Sequence, residues 1–188
     1  MTRSRSVAIA AAAALLVSLT ACAPPPPPHP HSLVGAACLP GHWLADLDDL
    51  SQQLADSLGD KYDVTAHGNT GTQEMIFTAG HGLTVVNHFT LDVTAATEQG
   101  ITVETAQNHD GTLHMTWALR GRELTLTSID PGDYRVSTTI SVNGQAAQST
   151  PVTLPDGAGF ADPIEAVCVG HGLTLDPDTG FHTTLTRE

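Results

Sequence analysis

The chain has 188 residues, of which 20 are acidic and 7 are basic, and its formal net charge is −13 at pH 7. A surface of this charge repels nucleic acid and anionic lipid headgroups, so neither is expected to bind through electrostatic attraction. The length allows one domain of ordinary size once an export segment has been removed.

The first 21 residues are typical of a secretory signal. Residues 1–5 contain two arginines and no acid, and residues 7–19 are apolar apart from Ser18. A basic start, a short apolar run and small residues before a cleavage point are the parts of such a signal. The apolar run is shorter than the roughly 20 residues that a membrane-spanning helix needs. We therefore predict that residues 1–21 are removed.

The end of this segment, Leu19-Thr20-Ala21-Cys22, resembles the lipobox of bacterial lipoproteins. The resemblance implies that the Cys22 sulfur carries diacylglycerol and that the chain is cleaved before Cys22. Two acyl chains give stable anchoring, whereas a single chain is marginal. The expected location is the cell envelope, with the bilayer as partner and the anchor on the outer face of the cytoplasmic membrane. The alternative is an ordinary secretory signal with an incidental cysteine.

Residues 22–32 are predicted to be a stiff tether. They contain five consecutive prolines at 24–28, which favour a polyproline II helix that reaches on the order of 25–30 Å. A Pro-rich tract can also be a docking ligand, but basic flanking residues are absent from this one. The folded domain is then residues 33–188. Without Arg3 and Arg5, the mature chain has a formal charge of 5 − 20 = −15.

Three cysteines are present. If Cys22 is acylated, Cys38 and Cys168 remain, and export places them in an oxidising compartment where two such cysteines usually pair. We predict a Cys38–Cys168 disulfide, with two free buried thiols as the alternative.

Hydrophobic periodicity predicts one helix followed by a mainly β domain. Leucines recur at three- and four-residue steps through residues 43–58, which predicts an amphipathic helix. From residue 61 onward the period is two, which is typical of strands with one buried face. The predicted strands are residues 62–67, 72–79, 82–94, 100–107, 112–120, 122–129, 134–142, 145–154, 166–175 and 179–187. The predicted turns are residues 108–111, 120–121, 130–133 and 143–144.

Short links between successive strands predict an antiparallel meander. A long meander must protect its edges, and closing on itself does so, so we predict a curved sheet or closed barrel with one N-terminal helix. A two-sheet sandwich is the alternative. Modest apolar side chains on the inner faces could leave room for an apolar ligand in such a sheet, and the alternative is that the same side chains simply fill the core. The candidate lining residues are Val85, Phe89, Met115, Trp117, Val136 and Ile140.

Gly41-His42-Trp43 near the start of the domain and Arg187 near its end resemble the lipocalin (calycin) signature. In that signature a Gly-x-Trp packs beneath an arginine from near the last strand. The resemblance implies an antiparallel barrel that binds small hydrophobic ligands and is closed at one end by a cation–π pair. The chain departs from the pattern because Trp43 starts the predicted helix. It also resembles lipobox lipoproteins of high-GC Gram-positive, actinobacterial-type bacteria, which carry a Pro-rich linker and a small cysteine-closed β domain.

Common catalytic motifs are absent from the sequence, so neither an enzyme nor a cofactor is predicted. His88, His114 and His182 lie opposite the apolar faces of their strands and could converge on a metal if those strands were neighbours. Ordinary surface histidines are the interpretation we favour. Two functions remain: a carrier that holds a small hydrophobic or lipid ligand, and an envelope accessory protein that docks a protein partner and has no cavity.

Overall fold

The computed structural model describes residues 37–59, 62–97, 99–152, 162–178 and 180–188, with the backbone alone for 147–152. The predicted signal, the tether and Cys22 lie outside these residues. The elements in chain order are β1 (Gly41–Ala45), α1 (Leu47–Gly59), β2 (Asp63–Phe77), β3 (Gly82–Ala96), β4 (Thr102–Arg120), β5 (Glu123–Asp130), β6 (Arg135–Val142), β7 (Gln145–Val152), β8 (Ile164–Val169), β9 (Gly172–Pro177) and β10 (Thr183–Arg187).

Eight strands form a closed ring. Their order is β3, β2, β1, β10, β9, β8, β5 and β4, and β4 pairs with β3 again to complete the ring. The remaining hairpin, β6 and β7, extends outward from the first half of β4. All these pairings are antiparallel. The predicted fold class, a mainly β antiparallel sheet that curves or closes and carries one helix, is therefore confirmed.

Two strands are longer than predicted because strand pairing overrides local turn chemistry. Residues 108–111, predicted as a turn, lie inside β4, where β3 pairs with all of them and β6 pairs with 108–110. Both neighbours satisfy backbone groups that a turn would leave open. In the same way β2 is continuous through residues 68–71. Conversely, a turn at residues 170–171 divides the strand predicted at 166–175 into β8 and β9.

The predicted start of the helix is wrong. Trp43 lies in β1, whose backbone pairs with β2 on one side and β10 on the other. The helix begins at Leu47, and the Asp49 backbone N–H donates to Asp46 Oδ1 at 3.1 Å, which caps the helix N-terminus. Within the described ranges, no helix combines the length and the apolar character that crossing a membrane requires.

One end of the ring is a packed core. Its most deeply buried residues are exposed by 1% or less, and they are Leu39, Trp43, Leu124, Leu173 and Leu185. Trp43 Nε1 donates to the Leu39 carbonyl at 2.8 Å, so the largest side chain of this group has no unsatisfied donor.

The two ends of the domain meet at this packed end. Trp43 and Arg187 are register partners between β1 and β10, and the Arg187 guanidinium carbon lies 4.5 Å from the centroid of the Trp43 ring. The guanidinium also donates to the Cys38 carbonyl. Cys38 forms a disulfide with Cys168 of β8, as predicted, and their Cα atoms are 6.3 Å apart. A cation–π contact and a covalent bond thus join the first and last parts of the described chain.

We predict that Gly71→Ala destabilises the ring far more than Gly100→Ala. Both glycines have positive φ, +92° and +76°. A Cβ at Gly71 would lie 1.9 Å from the His88 carbonyl oxygen, whereas a Cβ at Gly100 meets open space. The control should lose about 1 kcal/mol from the backbone conformation alone, and Gly71→Ala should lose roughly 3 kcal/mol or more. Urea unfolding measures both, and equal losses would contradict the close approach of β2 and β3.

Candidate functional site

The other end of the ring encloses a cavity of about 470 Å³. The N-terminal ends of β8 and β10 and the C-terminal end of β9 line this cavity. The opposite ends of these three strands contribute to the packed core. Asp162 and Phe181 at its rim are exposed to solvent, so the described residues leave the cavity open there. Its apolar lining comprises Leu50, Leu54, Met75, Leu83, Val85, Phe89, Leu91, Leu113, Met115, Leu126, Ile164, Leu175, Pro177 and Phe181.

Three of the six residues proposed from the sequence line the cavity. Val85 and Phe89 project inward from β3, and Met115 projects inward from β4, each of them about 5% exposed. They were identified by strand alternation, and the ring places their shared face on its interior.

The other three residues do not line the cavity. Trp117 belongs to the packed core, where its ring contacts Phe77 edge-on and its Nε1 donates to the Gly82 carbonyl. Val136 and Ile140 lie on β6, which pairs with the first half of β4 outside the ring. Alternation identifies a buried face, but it shows neither how far along the ring a residue such as Trp117 lies nor whether a strand such as β6 belongs to the ring.

Helix α1 forms part of the cavity wall. Leu50 and Leu54, from the apolar stripe predicted for this helix, line the cavity. The Gln53 side-chain amide donates to the His182 carbonyl at 3.1 Å and accepts from the His182 N–H at 3.0 Å. Asp49 Oδ2 accepts from the Thr184 hydroxyl, also at 3.1 Å. These bonds fix the helix to the start of β10 beside the cavity rim.

One wall of the cavity is polar. On β2 and β3, Gln73 Nε2 donates to Asn87 Oδ1 at 2.8 Å. On β4, His109 Nε2 lies 3.0 Å from Gln107 Oε1, and His109 Nδ1 lies 2.6 Å from the Tyr134 hydroxyl. The simplest assignment has Nε2–H donating to Gln107 and the Tyr134 hydroxyl donating to Nδ1. All five residues line the cavity.

The polar wall is uncharged at neutral pH. Burial lowers the pKa of His109 to about 4 and raises the pKa of Tyr134 to about 12. The His109 ring is stacked on Phe89, with 4.4 Å between centroids and 7° between planes. A neutral imidazole in contact with a phenyl ring is consistent with this apolar setting, since burial penalises the protonated form.

Most of this wall was missed at the sequence level, although a signal was present. The predicted turn at residues 108–111 concealed that His109 shares its parity with Leu113 and Met115, which face inward. Asn87 stands out as the polar residue in the apolar face of β3. A polar side chain in an inward register is the signal that could have identified both.

The histidines considered as metal ligands do not converge. His88 Nδ1 lies 2.7 Å from Asp110 Oδ1, His114 Nδ1 lies 3.2 Å from the Thr84 hydroxyl, and His182 binds Asp49. Across the described part of the chain, no group of three or more His, Cys, Asp or Glu side chains is placed to hold a metal ion.

We predict that stability falls as the pH drops from 7 to 5 and that His109→Gln reduces this fall. The pKa of His109 is near 6.5 in the unfolded chain and about 4 in the folded protein, so the unfolded state binds more protons between these values. Because His109 is partly exposed to solvent, its contribution to the fall in the free energy of unfolding is reduced by screening and should be on the order of 1 kcal/mol. Urea unfolding at both pH values tests this, and an equal pH dependence in the variant would contradict it.

The chain matches no protein-family model. Nor does it show significant similarity to a curated protein or to a solved structure. The chemistry of the cavity is therefore argued from its own residues.

Proposed function

We propose that the protein is a lipid-anchored, exported carrier that holds a small hydrophobic molecule inside its strand ring. The observation that carries this proposal is the cavity of about 470 Å³ with a mostly apolar lining and an opening at its rim. Ligand pockets commonly have volumes of about 300–1,000 Å³ and combine apolar walls with a few placed polar groups. The cavity has both features.

The positions of the largest side chains support the proposal that the cavity holds a ligand. The tryptophans Trp43 and Trp117 both pack away from it, and neither lines it. Beside the cavity, α1 contributes two leucines and is held in place by hydrogen bonds from Gln53 and Asp49. These bonds hold the helical part of the wall against β10.

The proposed location rests on the N-terminal sequence. The signal-like residues 1–21, the lipobox-like segment ending at Cys22 and the proline tract support a protein tethered outside the cytoplasmic membrane. A carrier in this position would take apolar molecules from the adjacent bilayer, and its tether would keep the cavity close to that source.

The accessory-protein alternative has less support. It requires a filled core and an exposed apolar patch that could dock a partner. Among the described residues, the exposed large hydrophobic side chains are Tyr62, Val169 and Phe181. Val169 ends β8 near the packed core, whereas Phe181 lies at the cavity rim, so these two do not form one patch.

We predict that Val85→Phe removes ligand binding and that Val86→Phe does not. Val85 projects into the cavity, whereas its neighbour Val86 faces outward from the same strand. The added ring therefore occupies ligand space in the first variant only. The test is native mass spectrometry of residues 22–188, exported behind a cleavable signal with Cys22→Ser and incubated with envelope lipids.

Excess mass that disappears on denaturation should be found for the chain with neither valine substitution and for Val86→Phe. The fraction of protein that carries this excess mass should be at least about tenfold lower in Val85→Phe. A clean unliganded mass for the unsubstituted chain would overturn the carrier proposal. Retained ligand in Val85→Phe would place binding outside the cavity.

A separate experiment tests the anchor. Cells supplied with an alkyne fatty acid should label the wild-type chain and should not label Cys22→Ala, since the Cys22 sulfur is the proposed attachment point. The control is the double variant Cys38→Ala, Cys168→Ala, which should keep the label because those sulfurs form the disulfide. Label that persists in Cys22→Ala would show that the lipid is attached elsewhere.

A further inference from the structure

Asn87 is a buried amide at the middle of the cavity wall. It projects inward from β3 and is 1% exposed. Its Oδ1 accepts the hydrogen bond from Gln73, but its Nδ2 has no hydrogen-bond partner among the described residues. Because Nδ2 is itself buried, both N–H groups of this amide are unsatisfied donors in the wall of a mostly apolar cavity, and a ligand acceptor reaches them when the side chain rotates toward the cavity. A buried donor without an acceptor is unfavourable, and an acceptor supplied by a ligand would satisfy it.

We infer that the cavity binds an uncharged lipid-like molecule whose carbonyl oxygen accepts a hydrogen bond from Asn87 Nδ2. This inference rests on the proposed carrier function and names the chemical class of its ligand. It is specific to an acceptor, because the unsatisfied group is a donor and a hydrocarbon cannot bond to it.

The position of Asn87 favours a carbonyl within the molecule rather than at its end. Val85 precedes it in the inward register of β3, and Phe89 and Leu91 follow it, and all three line the cavity. A ligand whose carbonyl meets Asn87 therefore has apolar wall on both sides along the strand. An alkyl ester with hydrocarbon on each side of its carbonyl fits this pattern.

The electrostatics favour an uncharged ligand over a carboxylate. None of the described residues that line the cavity is a lysine or arginine, and the acid Asp162 stands at its rim. His109 is neutral at pH 7, so it offers no positive charge. The mature chain also has a formal charge of −15, by the subtraction 5 − 20. A carboxylate would lose its hydration here without gaining a counter-ion.

Three probes with the same number of heavy atoms separate these possibilities. Heptyl octanoate carries an internal ester, pentadecanoic acid is its isomer with a terminal carboxylate, and heptadecane has no acceptor. Each is delivered from cyclodextrin at pH 7 to residues 22–188 carrying Cys22→Ser, and competes with the neutral fluorescent dye N-phenyl-1-naphthylamine. The ester should displace the dye at a concentration about tenfold lower than either other probe.

Asn87→Leu should remove the advantage of the ester over heptadecane, because leucine has a similar volume and no donor. The control is Asn108→Leu, the same substitution at an exposed position of β4, which should preserve that advantage. Thermal unfolding verifies that both variants are folded. In the unsubstituted protein, the side-chain amide resonances of Asn87 should shift with the ester and not with heptadecane, which tests the contact without a substitution.

The outcomes distinguish this inference from the carrier proposal. Dye binding with equal displacement by ester and heptadecane would overturn the role of Asn87 and leave the carrier function standing. Tightest binding of pentadecanoic acid would overturn the preference for an uncharged ligand. Failure of the dye and of all three probes to bind the folded, disulfide-bonded chain would overturn both.

Discussion

The fold depends on the joining of its two ends. The strand β1 lies between β2 and β10, so the ring closes only when the start and the end of the domain are side by side. At that point Arg187 covers Trp43, and the nearby disulfide ties Cys38 to β8. The covalent loop spans 130 residues, which on the chain-entropy model restricts the unfolded chain by roughly 5 kcal/mol. Closure removes sheet edges where the ring strands pair, as at residues 74–77 of β2 beside β1.

Because side chains fill the ring at one end, the opposite end can contain a cavity. The large aromatic side chains Trp43, Phe77 and Trp117 all belong to the packed core, and none of them lines the cavity. Around the cavity, the apolar lining is mainly leucine and methionine, with Val85, Phe89 and Phe181 among the other members. The helix lies against this end, fixed by Gln53 and Asp49. The two regions are continuous, because Leu83, Val85 and Met115 belong to the core cluster and also line the cavity.

The polar wall is the least expected feature of the interior. Partial burial of His109, Tyr134 and Gln107 is tolerated because they bond to one another, and the imidazole remains neutral at pH 7. Asn87 is the exception, with its donor unsatisfied among the described residues. A fully apolar core position would be more stable in the empty protein. The amide therefore has a physical rationale when a ligand supplies the acceptor, and that rationale connects the fold to the proposed function.

The sequence by itself determined the secondary-structure class, the apolar faces and the cysteine pair. Alternation needs only neighbouring residues, so the inward positions of β3 were predictable, and the prediction of export with an acylated Cys22 left Cys38 and Cys168 as natural partners. The tertiary structure decided the rest. Residues 108–111 became strand, and Trp43 became part of β1, because backbone pairing with distant strands outweighs local turn and helix preferences. Whether β6 entered the ring, and hence whether Val136 and Ile140 reached the cavity, depended on strand partners hidden from local sequence patterns.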